Sequence, residues 1–156
     1  VDPLIRLISL DDSELLQRLL EVQHAAYRVE AELIGFDGIP GLHDTAATLR
    51  DCGETFKGWF SEDGELAGAI AWKTDGGIVD IHRLVVNPAY FRQGIGEALA
   101  RDLLAANEGR AFLVATGSAN LPAKRLYRKL GFTEMRERQA APGLQITEFE
   151  RLSDDR

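Results

Sequence analysis

Apolar and polar positions alternate over Leu4 to Ser9, which predicts a first strand, and Asp11-Asp12-Ser13-Glu14 then offers capping side chains and negative charge to a helix N-terminus. Leu15, Leu16, Leu19, Leu20, Val22 and Ala26 recur at helical spacing, so a long helix is expected, ending at Gly35. The segment Ile34 to Asp44 carries Gly35, Gly38, Pro40 and Gly41, a breaker-rich loop suited to a substrate lid, and Thr45 to Cys52 reads as a short second helix. Strands are predicted at Thr55 to Ser61 and Glu65 to Lys73, joined through Asp63-Gly64, a strong hairpin signal. Asp75-Gly76-Gly77 turns the chain into a third meander strand, Ile78 to Val86. A helix over Glu97 to Asn107 stopped by Gly109, a strand over Ala111 to Thr116 and a helix over Ala123 to Leu130 follow. Phe132 to Arg138 and Gln145 to Arg151 close the pattern as strands around Pro142-Gly143. Strands and helices in this order make an α+β arrangement, with no internal repeat or low-complexity tract.

The strand Ile78 to Val86 has an irregular parity. Val79 and Ile81 share one face, whereas Leu84 and Val86 fall on the opposite one. A one-residue slip in the pleat repairs this and predicts a β-bulge near Arg83 to Val85, with backbone groups left unpaired. A fully buried strand of mixed parity is the other reading of the same residues.

Composition narrows the possibilities. A chain of 156 residues is expected to form one domain over 1–156. No run approaches the ~20 apolar residues of a membrane span, no signal-peptide pattern opens the chain, and Cys52 is the only cysteine. These features point to the cytoplasm, without a disulfide framework. Whether Val1 is the native first residue is not fixed by the sequence. The net charge of -7 argues against a nucleic-acid binder and weakly favours cationic substrates such as amines.

Two segments carry the most specific signal. One runs Asn87-Pro88-Ala89-Tyr90-Phe91-Arg92-Gln93-Gly94-Ile95-Gly96, and the other runs from Asn120 through Ala123, Leu126, Tyr127 and Leu130 to Phe132. Their order and separation resemble the GNAT family of acetyl-CoA-dependent N-acetyltransferases. The resemblance implies the acyl-CoA N-acyltransferase fold: a central mixed, mostly antiparallel twisted sheet of about seven strands flanked by about four helices. It also implies acetyl-CoA as cosubstrate, no metal, a small-molecule amine as partner and, as often in the family, a homodimer.

Several residues take roles from the resemblance. Pantetheine would enter as a pseudo-strand beside the bulged strand, bonded to the backbone of Leu84, Val85 and Val86. The glycine loop before a helix N-terminus is itself suited to a diphosphate, through the amides of Gln93, Gly94, Ile95, Gly96 and Glu97. Phe91 stands where the family carries Arg or Gln, a departure for which Arg92 and Gln93 offer replacement donors. Asn120 matches the asparagine that bonds the pantetheine arm, and capping the following helix ahead of Pro122 is an equally good reason for it. Ala123 lies beside it on the stripe that holds Tyr127.

On pattern alone Tyr127 is a packing residue. The resemblance makes it the acid that protonates the leaving thiolate, a phenol of pKa ~10 beside a thiol of about 8.5. An alkylamine must also lose a proton before it attacks, at a cost of about 4 kcal/mol near pH 7. Asp80 and His82 lie two apart on one strand face before the bulge, so the base is expected to be Asp80, His82 or a water chain. Some arylalkylamine-acetylating members carry two histidines at this pair of positions. Glu30, Glu32, Phe36 and His43 are placed beside the amine pocket by position only, and Cys52 reads as an inert thiol. The function expected is acetyl transfer from acetyl-CoA to a primary amine in a ternary complex. A non-catalytic acyl-CoA sensor and a protein or peptide acetyltransferase are the rival readings.

Overall fold

The computed structural model describes residues 4–153, so Val1 lies outside the described residues. Its elements are β1 (Ile5–Leu7), α1 (Ser13–Ile34), α2 (Ala46–Arg50), β2 (Thr55–Phe60), β3 (Leu66–Asp75), β4 (Ile78–Val86), α3 (Ile95–Ala106), β5 (Ala111–Gly117), α4 (Leu121–Lys129), β6 (Thr133–Ala141) and β7 (Leu144–Arg151). Single 3-10 turns occupy Pro40–His43 and Pro88–Tyr90. Asp12 caps α1 by accepting from the Leu15 amide at 3.1 Å, and Gly35 ends the helix in the left-handed conformation. Thr45 and Thr48 form a reciprocal capping box on α2.

Helices α3 and α4 each begin two residues earlier than the apolar pattern predicts. Gly94 and Asn120 occupy the N-cap positions, so the first turns run through Ile95-Gly96 and Leu121-Pro122. Proline is tolerated there because its missing N–H would have no helical partner. The first strand is shorter than expected, and β6 runs on to the Pro142-Gly143 turn.

The strands form one mixed sheet in the order β1-β2-β3-β4-β5-β7-β6. Only β4 and β5 are parallel, as their connection through α3 requires. Two apolar clusters pack on the sheet. One gathers Leu99 and Leu103 of α3, Tyr127 and Leu130 of α4, and Phe112 and Phe149 of the sheet. The other gathers Leu16, Leu19 and Leu20 of α1 with Leu49, Phe56 and Val85.

The irregular parity of β4 is a bulge, one residue earlier than the segment Arg83 to Val85 where the sequence placed it. Ala71 pairs with Arg83 and Trp72 with Ile81, leaving His82 as the extra residue. The slip lets Val79, Ile81, Leu84 and Val86 all pack with the α3 cluster, while Val85 turns to the α1 side. Pairing of β4 with β5 stops at Ile81 opposite Val114, so the two parallel strands part directly below the bulge.

Candidate active site

The parting of β4 from β5 opens a cleft whose wall is the unpaired edge of Leu84 to Val86. That stretch still pairs with β3 through Ile70 to Gly68, so its other edge presents alternate backbone groups to the cleft. Two cavities of about 370 and about 430 Å³ lie along it. They share Tyr27, Glu30, Leu84, Asn120, Ala123 and Tyr127, and so meet at one junction.

The larger cavity is mainly apolar. Val29 and Leu33 of α1, Val85 and Val86 of β4, and Pro122 and Leu126 of α4 line it, with Phe91 and Arg92 also on its wall. Phe91 is 44% exposed and supplies an apolar wall where the family resemblance leads one to expect Arg or Gln. Arg92 at φ 68 and Gly94 at φ 75 are both left-handed, which brings the chain sharply into α3. A Cβ on Gly94 would meet nothing, and one on Gly96 only Val86 at 3.6 Å, so no side chain crowds these two glycines. Gln93, Gly94, Ile95, Gly96 and Glu97 lie outside both cavities. The Ile95 side chain is core, and Glu97 binds Lys129 at 2.9 Å and Arg101 at 2.8 Å, which hold its carboxyl below the usual range. The residues present fit a long thiol ester: an apolar channel, an unpaired strand edge and a helix N-terminus in series.

The smaller cavity is the more polar of the two, about half polar in its lining, and is bordered by Ile39, Gly41 and Asp44 of the segment between α1 and α2. A Cβ on Gly41 would overlap the Tyr27 ring, so this glycine lets the loop close over α1. Beneath lies a buried network around Arg83. Its Nε donates to Glu54 Oε1 at 2.7 Å and its Nη2 to Glu54 Oε2 at 3.2 Å, while Nη1 donates to Asp44 at 2.6 Å and Gln23 at 2.9 Å. Glu54 is only 6% exposed. Burial works against the Arg83 charge, and the bonds to Glu54 and Asp44 more than restore it. Burial likewise opposes ionisation of Asp44, and bonds from Arg83, Thr48 and Gln23 bring its carboxyl below the usual range.

The structure brings together most of the residues singled out in the sequence. Tyr127 is 4% exposed, packed 5.5 Å from the Phe132 ring and 5.8 Å from Phe149, and still lines both cavities. Burial raises its pKa far above that of a free phenol, and the nearby Glu30 charge adds to the shift. Asn120 accepts from the Ala123 amide at 3.2 Å, so the capping role is realised while its side chain remains at the junction. Leu84, Ala123 and Asn120 lie at the junction, Val85, Val86 and Arg92 on the apolar side.

Asp80 and His82 do not share one position. His82 lines the polar cavity, with Nδ1 3.4 Å from Glu54 and Nε2 3.3 Å from Asp80. Asp80 is 51% exposed and lies outside both cavities, whereas His82, two residues on at the bulge, reaches the smaller one. Of the residues placed by position, Glu30 lines both cavities, whereas Glu32, Phe36 and His43 line neither. Glu54 and the Arg83 cluster were missed. Arg83 had a signal, a cation within an otherwise apolar strand, but Glu54 follows a turn glycine with no local pattern to mark it. Among the described residues no group of three or more His, Cys, Asp or Glu is placed to hold a metal ion. No helix there is long and apolar enough to cross a membrane.

Comparison with known proteins identifies the family and the fold. Residues 14–132 match the sequence profile described as the Acetyltransferase (GNAT) family. UPF0157 protein YqkA of Bacillus subtilis (strain 168) is 35% identical over 147 residues, a match covering 94% of this chain and 43% of that protein. The chain thus spans less than half the length of that curated relative. The ribosomal-protein-S18-alanine N-acetyltransferase from Escherichia coli superposes with a TM-score of 0.76 at 19% identity, over 96% of this chain and 93% of the other. The PaiA N-acetyltransferase from Thermoplasma acidophilum, solved with coenzyme A, gives 0.72 at 20% identity, over 92% and 96%.

Proposed function

The chain belongs to the GNAT family of acetyltransferases, and from that premise we propose that it transfers the acetyl group of acetyl-CoA directly to a primary amine of a small molecule. One observation carries the reading: two cavities of different chemistry, one apolar beside an unpaired strand edge and one more polar beside a loop, meet at Tyr127. The apolar cavity suits the pantetheine arm, and the N-terminus of α3 behind the Gly94 cap suits its diphosphate. That PaiA was solved with coenzyme A supports the same cosubstrate here. The polar cavity suits the acceptor. It is bordered by the loop residues Ile39, Gly41 and Asp44 and does not extend over exposed Asp80, which favours a small molecule over a peptide.

The residues then divide the work. The free edge of Leu84 to Val86 aligns the thioester and offers backbone amides to the charge that develops on its carbonyl oxygen. Tyr127 donates a proton to the departing sulfur. His82, with a carboxylate at each ring nitrogen, relays the proton of the incoming ammonium to exposed Asp80 and bulk water, so that a neutral amine reaches the junction. Holding both reactants at one junction removes the entropic cost of their encounter.

The test is thiol release from acetyl-CoA against polyamines, arylalkylamines, amino acids, aminoglycosides and short peptides, with calorimetric titration of acetyl-CoA alongside. Amine-dependent release with a small acceptor is the expected result. Binding without release across the panel would replace the enzyme by an acyl-CoA sensor, and release with peptides alone would move the acceptor to proteins.

A further inference from the structure

We propose that Glu30 is the catalytic base that takes the proton shed when the amine adds to the thioester, with Tyr127 as its acid partner across the junction. The inference rests on the acetyl-transfer reading above and adds a residue that neither sequence motif contains. Three carboxylates line the polar cavity, those of Glu30, Asp44 and Glu54. Two of them are committed. Asp44 accepts from Arg83, Gln23 and Thr48, and both oxygens of Glu54 accept from Arg83. A carboxylate held on a guanidinium is a poor proton acceptor, because protonation forfeits the ion pair.

Glu30 is the remaining one, and among the described residues it is the only carboxylate that lines both cavities. It reaches the junction from the last turns of α1, opposite Asn120 and Tyr127 of α4. Asn120, fixed as the cap of α4, lines both cavities together with Glu30, so the carboxylate faces this side chain across the junction. The titratable and charged surroundings are Tyr27, one turn earlier on α1, Tyr127 from α4, Asp44, Glu54, His82 and Arg83 along the smaller cavity, and Arg92 along the larger one. Burial raises the Glu30 pKa, with Asn120 opposing, which moves the group toward the range where a general base is effective.

The proton balance closes. The amine nitrogen forms its bond to the carbonyl carbon and passes its surplus proton to Glu30, the carbon–sulfur bond breaks, and the sulfur takes the Tyr127 hydroxyl proton. Glu30 then returns its proton to the Tyr127 oxygen. Products are the amide and free thiol, and both side chains regain their starting states.

The experiment compares wild type with Glu30→Gln and Glu30→Asp over a pH series, using the best acceptor from the thiol-release panel, with acetyl-CoA affinity measured by calorimetry. Glu30→Gln is expected to lose about 100-fold in kcat, to lose the acidic limb of its kcat profile, and to bind acetyl-CoA as wild type does. Glu30→Asp is expected to keep the limb at a reduced rate. An unchanged kcat and pH profile in Glu30→Gln, or a loss confined to acetyl-CoA affinity, would overturn the assignment. A wild type that binds no acetyl-CoA would instead defeat the acetyltransferase reading on which it rests.

Discussion

The Tyr127 side chain is buried beside a carboxylate, and both features hold its phenol in the protonated form far into the alkaline range. It is therefore a standing proton donor whose own ionisation leaves no alkaline limb below about pH 10. Replacing Tyr127 by Phe removes the donor and keeps the packing against Phe132 and Phe149. Thiol release should fall by about 100-fold while calorimetric acetyl-CoA affinity stays put, and equal rates would remove Tyr127 from the chemistry. Glu30 also leaves a signature in stability. Its folded pKa lies above the unfolded one, so the folded state accommodates the neutral acid better than the carboxylate, and stability is lost as pH rises through the folded pKa. Glu30→Gln should therefore melt higher than wild type at neutral pH, with the gap closing below about pH 4, where the unfolded carboxyl is also protonated. A thermal melt series across that range checks it, and a variant less stable at neutral pH would show that the carboxylate is structurally required.

At the scale of elements, β4 organises the site through one extra residue. The bulge at His82 keeps Leu84 and Val86 on the α3 side, turns Val85 and Arg83 toward α1, and coincides with the end of pairing to β5. Arg83 then ties β4 to Gln23 of α1, to Asp44 ahead of α2 and to Glu54 ahead of β2. Removing the guanidinium strands buried acids, so Arg83→Met should cost about 3–5 kcal/mol in urea unfolding, and adding Glu54→Gln should recover part of it. A loss under about 1 kcal/mol would mean that water replaces the cation.

Over the whole molecule the net charge of -7 sets a negative field into which the polar cavity opens. At saturating acetyl-CoA, kcat/KM for a cationic amine should fall several-fold as salt rises from about 0.02 to about 0.5 M, because the Debye length shrinks from about 20 Å to about 4 Å. A flat profile would assign the charge to solubility alone. The same field has no part in choosing the fold, which follows from periodicity. Apolar spacing and turn chemistry are local properties, and by themselves they determined the order of helices and strands, a cap within Asp11 to Glu14 and the stop at Gly35, whereas the parity of Val79, Ile81, Leu84 and Val86 raised a bulge in β4 that only strand pairing decided. The two segments around Gly94 and Tyr127 likewise announced the family before any coordinates. What only the tertiary structure decided depends on elements far apart in the chain. Asp80 lies outside the cleft while His82, two residues on, lines it; Glu30 and Tyr127 come to one junction from different helices; and Glu54 gains its partner 29 residues away. Periodicity records which face of an element is buried, but a cavity and the pairing of charges inside it exist only once several faces are packed against one another.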